Sequence, residues 1–149
     1  MKKNFLSICL VLAIVIFNGL TLSAQEAEVS TVISTKFNNM YSGVTEIIWE
    51  QDGMEYLATF IKDGFSLDAT FLEDGTWQQT VTSLEIEDLP TAAKELLTKE
   101  YKVESYYYIS RVETPAATQF SVNLETDTQY VTLMLNKEGK LVDKQVEDL

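Results

Sequence analysis

The chain has 149 residues, a formal net charge of −12, one cysteine and no histidine. Without histidine there is no Ser-His-Asp or Cys-His catalysis, no zinc site built on imidazole and no ordinary base near neutral pH. So acidic a surface repels phosphate backbones and anionic lipid, which excludes nucleic acid as a partner.

The first 25 residues read as a segment apart from the fold. Lys2 and Lys3 precede an apolar run over 5–17, and small or polar residues follow up to Ser23-Ala24-Gln25. A basic start, a short hydrophobic run and a small-residue region form the order of a secretory signal peptide. The run is shorter than the roughly 20 residues of a membrane-spanning helix. Cleavage after Ala24 and after Gln25 both fit. Cys9 lies inside the apolar run, so a lipid-anchored cysteine is not expected. Removal leaves residues 26–149, enough for one domain with a core. That portion has no cysteine, and with Lys2 and Lys3 gone it carries 9 basic against 23 acidic residues, a net of −14. The expected location is the periplasm or the cell exterior, with no membrane attachment after cleavage.

From there the chain alternates between two periods. Val29, Val32, Ile33, Phe37, Met40 and Tyr41 recur at three- and four-residue spacing, the signature of one helix face. The period then becomes two. Ile47 and Trp49 alternate with Glu46 and Glu50 in a strand over 44–50, Tyr56, Ala58 and Phe60 follow in a second, and Leu67, Ala69 and Phe71 in a third. A fourth strand is expected over 76–82. Leu89, Ala93, Leu96, Leu97 and Tyr101 restore the helical period, with Pro90 in the first turn, where its missing N–H costs nothing. Strands return over 103–109, then through Phe120, Val122 and Leu124, then Val131, Leu133 and Leu135, and finally over 140–146. Asp52-Gly53, Asp63-Gly64, Asp74-Gly75 and Glu138-Gly139 sit between alternating runs as hairpin turns.

The second series repeats the first. Tyr41 and Trp49 match Tyr101 and Ile109 at an offset of 60, whereas the segment 65–75 matches 129–139 at an offset of 64. The four extra residues fall at Thr114-Pro115-Ala116-Ala117, where a loop absorbs them. The expectation is an α+β protein of two tandem helix-plus-antiparallel-sheet repeats, about 28–86 and 87–149, with the helices on one face of the sheet.

Alternation also says what the second sheet face offers. If Tyr107 and Ile109 are helix-covered like Ile47 and Trp49, then Tyr106 and Tyr108 point the other way. Tyr130, Thr132, Met134, Ser121 and Asn123 join them, and Ile48, Leu57 and Ile61 fall on the same face of the first repeat. Tyrosines among small polar residues suit protein recognition, because Tyr supplies large contact area for little lost entropy. The same tyrosines equally suit a strand for its own sake. Tyr106, Tyr108, Tyr130 and Met134 are the candidate protein-binding residues.

Catalysis finds no support. No phosphate-binding glycine loop or dinucleotide fingerprint is present, the acidic turns lack the ligand ladder of a calcium loop, and no pair among the 23 carboxylates stands out. No cofactor and no metal are expected.

The helix leading into Val-Thr-Glu-Ile-Ile-Trp-Glu (44–50), the run Gly53-Met54-Glu55-Tyr56, then Phe71-Leu72-Glu73-Asp74-Gly75-Thr76-Trp77, and Ile86-Glu87-Asp88-Leu89-Pro90 at the second helix together form a pattern. It resembles the exported β-lactamase-inhibitor-like, PepSY-like family of bacterial proteins, from about Val29 to the C-terminus. The resemblance implies tandem helix-plus-sheet repeats and residence outside the cytoplasm. The family name reflects a fold shared with a protein that inhibits β-lactamases through its sheet face, and PepSY domains are associated with restraining peptidases. Neither activity carries over residue by residue. The second half departs from the pattern, with Ile109 where the first has Trp49 and Leu141 where it has Trp77. The function expected is that of an exported, non-enzymatic binding protein that inhibits or modulates a periplasmic or cell-envelope protein. The alternative is a periplasmic small-molecule or ion binder that uses a cleft between the repeats.

Overall fold

The computed structural model describes residues 28–101 and 106–149, the side chains of residues 106 and 107 excepted. The expected signal peptide and the expected strand residues 103–105 lie outside the described residues. Eight strands form one antiparallel sheet whose spatial order is the chain order: β1 Ile47–Asp52, β2 Glu55–Lys62, β3 Phe65–Leu72, β4 Trp77–Leu84, β5 Tyr106–Glu113, β6 Thr118–Glu125, β7 Gln129–Asn136 and β8 Leu141–Asp148. Helix α1, Thr31–Met40, precedes β1, and helix α2, Thr91–Leu96, lies between β4 and β5.

The strands are displaced toward the C-terminus from where alternation placed them. β1, β4 and β8 each begin one to three residues later and end two residues later than expected. The pairing decides this: hairpin turns fix the register, and a strand continues as long as its neighbour offers partners. Between β2 and β3 the turn is Asp63-Gly64, both at positive φ (53° and 86°), the two-residue geometry whose twist matches that of the flanking strands.

Helix α1 begins at Ser30, whose Oγ accepts a bond from the Ile33 N–H at 3.4 Å and satisfies one of the donors a helix start leaves over. Its buried residues are Ile33 and Phe37, one turn apart. Val32, expected on the apolar face, is 57% exposed, because it stands over the β3–β4 turn at Gly75 instead of over the strands.

The second helix also differs from expectation. Pro90 caps it from outside and does not occupy the first turn, and α2 gives way after Leu96 to a π-helical turn, Leu97–Tyr101. The wider turn still delivers Leu97, fully buried, to the core.

Two clusters of buried side chains make the core. In the first, Ile33 and Phe37 of α1 pack with Tyr56, Ala58, Phe60, Leu67, Ala69 and Phe71. Phe37 is its centre, with the rings of Tyr41, Trp49, Phe60 and Phe71 between 4.9 and 6.2 Å away in tilted or edge-on contact. In the second, Leu89, Ala93 and Leu97 pack with Phe120 and with aliphatic residues of β5, β6 and β7. The registers place the strand residues of both clusters on the same sheet face.

Candidate functional site

Where the clusters meet, the core face turns polar. Thr80 and Thr82 of β4 are buried. Trp77 Nε1 donates to Thr80 Oγ1 at 2.9 Å, and the Tyr41 hydroxyl shares a short hydrogen bond with the same Thr80 oxygen. Arg111, paired with Thr82 across the β4–β5 junction, donates from Nη2 to Thr82 Oγ1 at 3.4 Å. Its Nε lies 3.3 Å from a Glu113 carboxylate oxygen, an ion pair without the alignment of a hydrogen bond. This seam went unread in the sequence. Its only signal there is a threonine at 80 and 82 and an arginine at 111 in core-facing positions.

The opposite face is the candidate binding surface, and its residues fall into cross-strand rows. Tyr108, Asn123 and Thr132 form one row, and Ser83, Ser110, Ser121, Met134 and Asp143 the next. Tyr130 lies between Glu125 and Glu147. Tyr108 and Tyr130 are 40% and 46% exposed, and Met134 is half-buried. Ser110 and Ser121, directly opposed, are only 2% and 5% exposed. Short side chains at the middle of the sheet sink below their longer neighbours, so these serines form a low floor within the second row.

Several hydroxyls on this face are engaged. Tyr108 Oη shares a hydrogen bond with Ser83 Oγ at 3.3 Å, so its ring reaches toward β4 and away from Tyr130. Thr132 Oγ1 donates to Asn123 Oδ1 at 2.8 Å, and Thr59 Oγ1 to Asp68 Oδ1 at 2.7 Å. In the first half Ile48 and Ile61 are exposed and Leu57 half-buried on this face.

The expected pairing of Tyr106 with Tyr108 changes. Register slips between them: Tyr106 pairs with Leu124, a core residue, while Tyr108 pairs with the adjacent Asn123. An extra residue in one strand of a pair breaks the alternation that had placed both tyrosines on one face. The side chain of Tyr106 lies outside the description. Of the four candidates the structure therefore brings Tyr108, Tyr130 and Met134 to one face.

Two hollows open away from Tyr108 and Tyr130. One, of about 630 Å3, is lined by residues 43–48 and 59–61 at the β1 edge. The other, of about 550 Å3, is lined by Val32, Lys36, Asp74, Gly75, Thr76, Trp77 and Pro115. Among the described residues no group of three or more His, Cys, Asp or Glu side chains is arranged to hold a metal, and no helix is long and apolar enough to cross a membrane.

Several solved bacterial proteins share this fold. A BLIP-like protein from Bacteroides fragilis superimposes with a TM-score of 0.73 at 27% identity, covering 83% of this chain and 88% of its own. A DUF2874 family protein from Bacteroides ovatus does so with a TM-score of 0.72 at 21% identity, covering 80% and 89%. A protein from Bacteroides eggerthii whose periplasmic placement is itself inferred gives 0.70 at 18%, covering 80% and 90%. No protein-family model and no curated protein matches the chain. The fold is BLIP-like.

Proposed function

We infer that the protein is an exported, non-enzymatic binding module that inhibits or modulates a periplasmic or cell-envelope protein through the sheet face bearing Tyr108, Tyr130 and Met134. The observation that carries this reading is the composition of that face. Two exposed tyrosines stand in the rows beside a row of buried serines, with exposed Ile48 and Ile61 further along. Rigid aromatic anchors around small polar groups are what protein recognition uses. The BLIP-like neighbour supports a protein-binding role, and the inferred periplasmic neighbour, together with the signal-like residues 1–25, supports export. Both hollows are open, and the β1-edge one includes a single ionisable residue, Glu46, so small-ligand binding is the lesser reading.

The same reading includes two tandem units, about 28–86 and 87–149, with both helices over one sheet face. Pairings support it. Leu67 opposite Thr82 matches Val131 opposite Val146 at the offset of 64, and the bulge at Thr70/Phe71 matches that at Met134/Leu135. Trp49 opposite Ala58 matches Ile109 opposite Val122, at offsets of 60 and 64 for the two strands, and the four-residue difference falls in the loop 114–117. Even the hydroxyl bonds correspond: Thr59 to Asp68 in one unit, Thr132 to Asn123 in the other.

The test is retention of a cell-envelope protein by the chain from Glu26 onward and by its Tyr108→Ala/Tyr130→Ala variant. We expect a protein held by the unmodified chain to lose about tenfold or more in affinity for the variant, the scale of two central aromatic anchors. Equal affinity, with the variant folded by circular dichroism, would remove this face from the function.

A further inference from the structure

We propose that the partner of the Tyr108/Tyr130 face is a cationic protein surface, with Lys or Arg side chains on two sides of an uncharged centre. This rests on reading that face as the binding surface. It goes further by naming the partner's chemistry, and the distribution of charge on that face carries it. On that face the strands hold seven residues charged at neutral pH: Glu50 and Asp52 on β1, Glu55 on β2, Asp68 on β3, Glu125 on β6, and Asp143 and Glu147 on β8. All seven are carboxylates. The three strand cations, Lys62, Arg111 and Lys144, all take core-side register positions. Lys144 Nζ lies 5.2 Å from the Tyr101 ring, and Arg111 bonds Thr82. The core side also holds two strand carboxylates, Glu113 beside Arg111 and Asp148, whereas the opposite face holds seven carboxylates and no strand cation.

The acids are also placed by strand. Among the described side chains, β4 and β5 present Gln79, Val81, Ser83, Tyr108, Ser110 and Val112 to this face, with no charge among them. On one side β1, β2 and β3 carry the carboxylates, and on the other β6 and β8 do, with β7 between them uncharged. An uncharged centre containing an aromatic anchor, bordered by charge, is the layout of a protein interface: the centre excludes water while the rim steers approach. A flat anionic partner would meet repulsion on both sides. A second copy of this chain, face to face, would do the same. A cationic surface meets attraction on both sides, and its Lys and Arg stems could cover Ile48 and Ile61.

The test uses two variants of equal net charge. One neutralises the face (Glu50→Gln, Glu125→Gln, Asp143→Asn, Glu147→Gln). The other neutralises turns and helical segments (Glu73→Gln, Glu87→Gln, Glu95→Gln, Glu138→Gln). The probe is a lysine-rich dodecapeptide with a central tyrosine, titrated into 15N-labelled protein at low salt. We expect amide shifts to concentrate at Tyr108, Asn123, Tyr130 and Thr132, and affinity to fall at least about fivefold in the face variant and less than about twofold in the other. Shifts spread evenly over turns and helices, equal losses in both variants, or no binding would overturn the proposal. The envelope protein retained in the tyrosine test separates the two readings. If it is lost with Tyr108→Ala/Tyr130→Ala but indifferent to the face variant, the face stands as a binding surface and the cationic partner falls. If neither change matters, both fall.

Discussion

Single side chains hold this molecule at two kinds of point, and they respond to different perturbations. Phe37 touches four other rings and is buried to the last atom or nearly so. Phe37→Ala leaves a hole that a sheet on one side and a helix on the other cannot easily close, and it should cost about 3–5 kcal/mol by urea denaturation. Tyr41 is a titratable point. Burial raises its phenol above the ordinary 10.0, the bond to Thr80 opposes the shift, and Glu113 adds to it. A raised value means that the folded phenol keeps its proton where the unfolded one has lost it. The associated stability is complete below about pH 10 and is lost as pH rises through the folded value. Between about pH 8 and about pH 11 the melting temperature should therefore fall more steeply for the unmodified chain than for Tyr41→Phe, whose remaining tyrosines are common to both. Parallel curves would show that Tyr41 ionises as freely in the fold as outside it.

At the scale of elements, turns fasten helix to sheet. The β7–β8 turn brings Gly139 so close to α2 that an added Cβ would lie 2.8 Å from the Ala93 backbone nitrogen and 3.0 Å from Pro90 Cβ, at a φ of +81°. Gly53 also has positive φ but faces open space. Gly53→Ala should cost about 1 kcal/mol, the conformational penalty alone, and Gly139→Ala clearly more, about 2–4 kcal/mol, because α2 must move as well. Chemical denaturation of the two variants side by side checks this. Much at this scale was legible from the residues. The alternation of Tyr56, Ala58 and Phe60, or of Val131, Leu133 and Leu135, named the core face, and each acidic residue before glycine marked a turn. What escaped was non-periodic. The slip between Tyr106 and Tyr108 and the π-helical turn after Leu96 are single-residue adjustments set by tertiary pairing. No local pattern announces them. Val32 departs from the pattern because helical spacing gives a face but not its width, and Val32 stands over the β3–β4 turn instead of over the strands.

For the whole molecule, the sheet is closed at neither side. β8 is exposed along its entire length, and Leu141 does not fill the half-buried place that Trp77 takes in the first cluster. Its Asp143, Lys144, Glu147 and Asp148 keep that edge charged, a common guard against strand addition. The candidate face could be read in outline because strand alternation is a two-way choice, but its lack of strand cations emerges only when all eight registers are known together. The order of the strands has one further consequence, in time. Because spatial order is chain order, every strand pairs with the one made just before it, and only the β4–β5 junction spans a long connection, residues 85–105. The first four strands and α1 can complete their aromatic cluster before anything beyond residue 84 has emerged. Local pairing of this kind favours rapid assembly. Until β5 arrives, though, β4 waits with its hydrogen-bonding edge open and Thr80 and Thr82 without Arg111 beside them. A nascent chain of this protein is thus most open to wrong partners at its midpoint, when half of it is already folded.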